Sequence, residues 1–398
     1  MSTTRANETL APLSKGLTNV MAVAIGVIVA SLYYLQPLLH EVTRDFRISE
    51  TKASLLITLI QAGYAVGLAF IVPMGDIIAR RRLALGLFIA ADVVVMAGAG
   101  VQSFVLFAVI TFLIGLSSVG GQVIITLGAD MAEPAQRGRV IARLMTGLLI
   151  GLLLSRSVSG VIAQIAGWRT VYWSAGAGLA AMTIVLYRAL PDEPVRPHLS
   201  YPKLIAGTLG LFRTLSLLRR RSLYGALIFA AFSALWTTLA FHLSAAPFHY
   251  DNLVIGLFGL FGIAGVLAAN FAGRNADRQR THISTIVCGL LILLSFVVLY
   301  LGRNVVIVLA LGIVMLDAGM QGLQITNQSI IYSLMPDARS RVNSAYMVCA
   351  FSGAALGSFA AGQFYAHDGW RGDCLLGGAI GLAILVLALV WREPITTL

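Results

Sequence analysis

The stretch Val72-Pro73-Met74-Gly75-Asp76-Ile77-Ile78-Ala79-Arg80-Arg81-Arg82 sets one acid and three arginines between two long apolar runs. A charged segment so placed marks where a chain leaves a bilayer and re-enters it, because ionised side chains are costly in hydrocarbon. A second version, Gly273-Arg274-Asn275-Ala276-Asp277-Arg278-Gln279-Arg280, follows about half a chain later. The chain reads as two copies of one membrane unit.

Composition agrees. The 398 residues are 58% hydrophobic and 11% charged, which leaves too little polar surface to cover a water-soluble globule of this size. The apolar runs are roughly 20 residues long, the length a helix needs to cross about 30 Å of hydrocarbon. They lack the period-2 alternation of barrel strands. The fold class is therefore an all-α integral membrane protein. The formal net charge of +11 is a matter of topology: about 21 of the 28 Lys and Arg fall on the side of Asp76 and about six on the other, which makes the Asp76 side cytoplasmic. No nucleic-acid partner follows from it. Cys288, Cys349 and Cys374 show no spacing that suggests a disulfide or a metal site. The segment from Met1 to Lys15 is polar and leads into a full-length span with no small-residue cleavage site, so no removable signal peptide is expected.

Twelve transmembrane helices are expected, roughly over 17–39, 52–75, 83–101, 104–129, 140–166, 170–190, 223–246, 254–272, 283–301, 305–334, 342–366 and 374–391. Both termini then lie in the cytoplasm. Residues 191–222, with Pro191, Pro194, Pro197 and Pro202 and ending in Arg219-Arg220-Arg221, read as a cytoplasmic linker loop between an N-terminal unit, 1–190, and a C-terminal unit, 223–398. Pro134-Ala135-Gln136-Arg137-Gly138-Arg139-Val140 returns as Pro336-Asp337-Ala338-Arg339-Ser340-Arg341-Val342, 202 residues on. Gly167-Trp168-Arg169 returns as Gly369-Trp370-Arg371 at the same offset, and Asp76 returns as Asp277 at 201. Two six-helix bundles that both begin in the cytoplasm are related by an axis along the membrane normal, with a central cavity at the seam.

Two six-helix units, a basic middle loop and an acid–arginine signature after the second span resemble the major facilitator superfamily over essentially the whole chain. The family signature runs G-x-x-x-D-R-x-G-R-R. Asp76, Arg80 and Arg81 match it, whereas Val72, Ile77 and Ala79 replace Gly, Arg and Gly; Gly273, Asp277 and Arg278 remain in the second copy. The resemblance implies gating by charge contacts that latch one side of the membrane, and such charge-assisted bonds break when the units rock apart. The plain alternative is a positive-inside loop. In the fifth span, Gly147, Gly151 and Gly160 with Ser155-Arg156-Ser157 are similar to the antiporter signature G-P-x-x-G-G of drug exporters. Small residues there let helices approach and flex. Arg156 stands where Pro is expected, and Thr111 where the fourth-span arginine is expected. The nearest resemblance within the exporters is to the bacterial twelve-span drug:proton antiporter group of the inner membrane, suggested by Tyr33-Tyr34-Leu35-Gln36-Pro37 and by Asp317 to Gln328.

Ionisable residues within spans are candidates for function. Asp317 lies about 12 residues into the tenth span, hence roughly 18 Å along it and near the midplane. A desolvated carboxyl there is a candidate proton-coupling site; the alternative is a structural hydrogen bond or a fixed arginine pair. Asp92 in the third span is a second candidate, with helix packing as its alternative. Arg156 is read as a substrate or gating residue, against a structural role. Pocket lining is expected, by the resemblance, from the first, fourth, seventh and tenth spans: Tyr33, Tyr34 and Gln36; Gln122 and Thr126; Trp236 and His242; Gln321, Gln324, Asn327 and Gln328. Gln122 and Gln324, 202 apart, are expected to face one another. Aromatic faces with a few amides suit a mid-sized, partly apolar molecule.

The expected function is secondary active transport of a small organic molecule by alternating access, as a proton-coupled efflux antiporter. A proton-coupled importer of an organic acid is the alternative, and a non-transporting sensor a distant one. An enzyme is not expected, because the six histidines are scattered and no metal or nucleophile cluster appears. No Walker motif is present, so ATP is not the driving force. Substrate, protons and lipid are the expected partners of a monomer that needs no cofactor.

Overall fold

A computed structural model describes residues 13–133, 135–192, 200–263, 281–335 and 339–391. The described chain is helical throughout. It runs α1 Lys15–Ala30, α2 Leu39–Phe46, α3 Glu50–Val66, α4 Arg80–Gly100, α5 Phe104–Ser118, α6 Gly120–Met131, α7 Arg137–Ala166 and α8 Trp168–Ala189. It continues as α9 Tyr201–Thr214, α10 Ser216–Ser244, α11 Asn252–Leu257, α12 Thr281–Leu301, α13 Val306–Leu334 and α14 Arg339–Val390.

Starts and breaks follow local chemistry. The side chains of Ser14, Ser49 and Asp251 accept backbone N–H groups at the beginnings of α1, α3 and α11, satisfying donors that a helix cannot pair internally. Pro37, which has no N–H to give, sits in a 3-10 turn, Gln36–Leu38, between α1 and α2. Pro73 opens a similar turn, Val72–Asp76, in front of the arginine run. Gly369 breaks α14 at φ 58 and ψ −142, a conformation that excludes most side chains.

Among the described residues, nine helical stretches are long and apolar enough to cross a membrane, and Lys15–Ala30 and Asn252–Ile263 are shorter apolar helices. The chain is thus an all-α, multi-span membrane protein. The stretch in α10 is the innermost: 89% of its apolar window is buried, against 33–56% for the others.

The linker departs from expectation. Residues 201–214 form α9, and α10 starts at Ser216, so Arg219-Arg220-Arg221 is helical rather than loop. Leu211, Phe212 and Leu215 recur at helical spacing and pack on Leu218, Ile331, Val342 and Tyr346. Arg221 is consequently buried and donates to Thr285 Oγ1 (3.0 Å) and Asn327 Oδ1 (3.2 Å). The stretch Gly273 to Arg280, with Asp277 and Arg278, lies outside the described residues, as does the end of the 254–272 span.

Glycines set the closest helix crossings. A Cβ on Gly147 of α7 would stand 2.9 Å from Ala22 Cα of α1, and one on Gly151 would stand 2.5 Å from Gly26 Cα. Gly353 and Gly357 of α14 meet Ala226 and Ala230 of α10 in the same way. Any side chain at these glycines would force the backbones apart.

Candidate functional site

The site is built around Arg156, about two thirds of the way along α7 and 1% exposed. Its Nε donates to Gln36 Oε1 at 2.6 Å, an acceptor held in place by the turn at Pro37. Its Cζ lies 3.9 Å from the Trp236 ring centroid, 5.0 Å from Tyr33 and 5.6 Å from Phe232. Electron-rich ring faces attract a cation without supplying a counter-charge. Gly259 makes room on the other flank, where a Cβ would fall 2.9 Å from Arg156 Cβ.

Asp317 of α13 is 4% exposed and faces the same space. It packs against Gly262, whose Cβ would fall 2.8 Å from Oδ2. Arg156 and Asp317 feel each other's charge, yet they form no ion pair within 4.0 Å. Arg156 Nη2, Asp317 Oδ1 and Trp236 Nε1 have no hydrogen-bond partner among the described residues. Trp236 lies near enough to act on Asp317 but outside hydrogen-bonding geometry. Arg156 and Asp317 thus each bury a polar atom left without a partner.

Arg156 and Asp317 line a cavity of about 260 Å³ with Tyr33, Tyr64, Gln122, Phe229, Phe232, Met320, Gln321, Gln324, Gln328 and Phe351. Gln122 and Gln324 do share it. Gln122 Nε2 donates to Tyr64 Oη at 3.3 Å, and Tyr346 Oη donates to Gln324 Oε1 at 2.5 Å. Apolar faces, four amides and one charge of each sign can hold a mid-sized organic molecule and discriminate its polar groups. From the level of Arg156 and Asp317 the cavity runs past Met145, Leu149, Ile325 and Gln328 toward the arginine-rich start of α7 and the end of α13.

Several expected residues lie elsewhere. Gln36 and Trp236 stand behind Arg156 in a separate small void with Leu239 and Ile255, and reach the cavity through its guanidinium. Tyr34 lines an outward groove between α1 and α7. Thr126 borders a small void with Asp76 and Arg80. Asn327 is fully buried and donates to Tyr346 Oη at 3.2 Å. His242 stacks on Trp370 with centroids 4.1 Å apart and meets Arg303 O at 2.9 Å. Asp92 packs at the α4–α8 contact, near Gly176. Thr111 is buried and donates to Ala108 O at 2.7 Å.

The arginine cluster divides its work. Arg80 pairs with Asp76 at 2.9 Å and with Asp130, tying the turn at Pro73 to α6. Arg81 pairs with Asp192 and donates to Tyr187 O at 2.8 Å.

The opposite end is closed by residues that sequence reasoning missed. Asn252 Nδ2 donates to Glu41 Oε2 at 2.5 Å, and Trp168 N donates to Glu41 Oε1 at 3.3 Å. Just inside, Ser157 Oγ donates to Gly256 O at 3.0 Å, and Gly160 lets α7 and α11 cross, since its Cβ would lie 3.1 Å from Gly256 Cα. Arg169 pairs with Asp45 beside this seal. The repeated Gly-Trp-Arg motif was the signal available for it. Asp373 was also missed: it is 0% exposed, and neither carboxylate oxygen has a partner among the described residues.

The family model described as Major Facilitator Superfamily matches residues 21–358 and 282–397. The chain is 43% identical over 379 residues to "Uncharacterized transporter YgaY" of Escherichia coli O157:H7, covering 95% of each. It is 31% identical over 364 residues to "Probable transporter SCO4007" of Streptomyces coelicolor, covering 90% of this chain and 84% of that protein. Its fold is similar to the crystal structure of a bacterial homolog to the human lysosomal transporter Spinster, in an inward-facing and unoccupied conformation, with a TM-score of 0.71, 13% identity, and 95% and 96% of the two chains covered. A membrane-spanning helical chain with an enclosed, amphipathic cavity, matched by that family over most of its length, belongs to the Major Facilitator Superfamily and is a transporter rather than an enzyme.

Proposed function

We propose that this chain is a proton-coupled exporter of a small, partly apolar organic molecule, working by alternating access between two six-helix bundles. The bundles are residues 1–190 and 223–398, twelve spans in all, joined by 191–222; the location is a bacterial inner membrane with both termini cytoplasmic. In support, the Gly147/Gly151 crossing on Ala22/Gly26 has a counterpart in Gly353/Gly357 on Ala226/Ala230, as expected of a repeated unit.

The observation that carries the coupling is the buried, unpaired arrangement of Arg156 and Asp317. A carboxylate in a dry site is stabilised either by a proton or by a cation. With Asp317 protonated, Arg156 rests on Gln36 and the three rings, and the cavity accepts substrate against Tyr33, Phe232 and the amides. Loss of the proton draws Arg156 toward the carboxylate and rearranges the α7–α10–α13 seam that lines the site. Asp76, Arg80 and Arg81 act on the arginine-rich side, Gly147, Gly151 and Gly160 at the crossings. The direction of transport rests on the fifth-span resemblance to exporters.

A second reading, symport of an organic acid, is favoured by Arg156 Nη2, which has hydrogen-bonding capacity to spare beside the cavity. One experiment addresses both. Proteoliposomes with an imposed pH gradient and an internal pH dye are challenged with lipophilic cations, neutral drugs, sugars and organic acids. Antiport gives substrate-dependent proton movement opposite to substrate, and Asp317→Asn removes it. Movement in the same direction installs the symport reading. Normal coupling in Asp317→Asn removes Asp317 from the mechanism.

A further inference from the structure

Outside the transport site, a groove of about 750 Å³ runs along the outer face of α1 and α7. Its floor is small: Ala22, Gly26, Ala30, Gly147 and Gly151. Its walls are apolar side chains turned outward, with Val23, Ile150, Leu154 and Val158 each 45–54% exposed. Ile150, Leu154 and Val158 occupy the α7 face opposite to Met145, Leu149 and Leu152, which line the transport cavity. The groove therefore opens to the hydrocarbon. From Arg143 to Val158 it covers 16 residues of α7, or about 22 Å, longer than the roughly 15 Å depth of one leaflet's hydrocarbon.

Chemistry changes at the arginine-rich end. The groove terminates at Asn19 and Arg143. One turn further out on the same helices stand Lys15 and Arg139, both exposed. Lys15, Arg139 and Arg143 take part in no side-chain ion pair or hydrogen bond among the described residues. The nearby acids are engaged, Asp130 by Arg80 and Glu133 by Gln136. Among the described residues, these cations have no side-chain ion-pair partner, and they sit at the headgroup end of a slot sized for an acyl chain.

We infer that this groove is a binding site for an anionic phospholipid of the leaflet on the arginine-rich side, with one acyl chain along Val23, Ile150 and Leu154 and the phosphodiester on Arg143 and Arg139. Guanidinium groups match phosphate oxygens in pairs, and the Asn19 amide adds a neutral donor. The lipid chain covers the Gly26–Gly147–Gly151 crossing, so it is a packing partner for α1 and for α7, the helix that carries Arg156. The site is separate from the transport cavity and does not depend on which substrate moves.

The test is native mass spectrometry of the full, delipidated chain in detergent, titrated with phosphatidylglycerol or with phosphatidylcholine of identical acyl chains. The first phosphatidylglycerol is expected to bind at least tenfold tighter. Arg139→Gln combined with Arg143→Gln should bring it to the phosphatidylcholine level and leave phosphatidylcholine unchanged. Ile150→Trp, at an outward position that folding tolerates, should weaken both lipids at least fivefold. Equal binding of the two lipids by the unaltered chain overturns the proposal. So does a preference that survives the double substitution, or binding of both lipids that Ile150→Trp leaves intact.

Discussion

Removing the Asn252 amide should loosen the seal opposite the arginine-rich side without unfolding it. Asn252 Nδ2 donates to a Glu41 carboxylate oxygen at 2.5 Å, a charge-assisted bond between partly buried groups. Hydrogen bonds to charged groups contribute about 1.5–3 kcal/mol, and partial exposure places this one near the lower figure. Asn252→Ala deletes it only in the closed arrangement, because opening separates α2 from α11. Glu41 keeps its bond from Trp168 N, and the Ser157–Gly256 bond survives. The open population should therefore rise about tenfold, the equivalent of roughly 1.4 kcal/mol. The assay uses a chain in which Cys288, Cys349 and Cys374 are replaced by Ser and a single cysteine stands at Leu239, beside Gln36, Arg156 and Trp236. A membrane-impermeant maleimide applied from the Glu41 side should label it about ten times faster in Asn252→Ala. Asn252→Asp, which sets two carboxylates against each other, should be faster again. Parent-rate labelling in both variants would refute the latch.

Three further outcomes follow from the same geometry. Arg156→Lys keeps the charge but loses the planar contact with Trp236 and the Nε bond to Gln36; with a desolvated cation–π contact at about 2 kcal/mol, proteoliposome transport should fall at least tenfold while the melting temperature holds. Gly147→Leu drives a side chain into the α1 backbone at Ala22, an overpacking cost of about 1–3 kcal/mol that should lower the melting temperature in detergent, whereas Gly178→Leu, which meets open space, should not. Arg80→Ala should destabilise the chain more than Arg81→Ala in the same melts, because Arg80 is 8% exposed and holds two acids, while the partner of Arg81, Asp192, has a side chain 92% exposed and surface pairs contribute about 0–1 kcal/mol.

Membrane architecture was the legible part, because hydrocarbon imposes a length and a polarity on every span that single residues cannot hide. Asp317 and Arg156 were legible for the same reason: charge within an apolar run stands out. Placement about the helix axis was not. Tyr33 and Tyr34 are neighbours in sequence, yet one faces the cavity and the other a lipid-side groove. Successive residues on helical backbone point about 100° apart, and periodicity in a uniformly apolar stretch does not report which of the two faces inward. Thr126 and Gln122 lie one turn apart on α6, and only Gln122 reaches the cavity. Glu41 and Asn252 escaped notice because polar residues in short helices at the ends of spans look alike until the fold brings them 2.5 Å apart. Arg221 was hidden by its neighbours: three arginines in a row read as loop, and tertiary packing buried one.

The separation of Arg156 from Asp317 is the feature on which the proposed coupling turns. An ion pair in a site this dry would be strongly attractive and costly to break, and a transporter locked by it could not exchange a proton on each cycle. Gln36 and the rings of Trp236, Tyr33 and Phe232 hold the guanidinium with neutral partners, which leaves the carboxylate to choose between a proton and the arginine. The two choices differ by a short movement of one side chain between α7 and α13. Because Trp236 and Tyr33 belong to α10 and to the turn after α1, that movement is felt by the helices that line the cavity. Weakening the neutral cradle should therefore bias the choice: Gln36→Leu, by releasing Nε, should draw Arg156 toward Asp317, reduce proton uptake by the site and slow coupled transport, even though no charged residue has been changed.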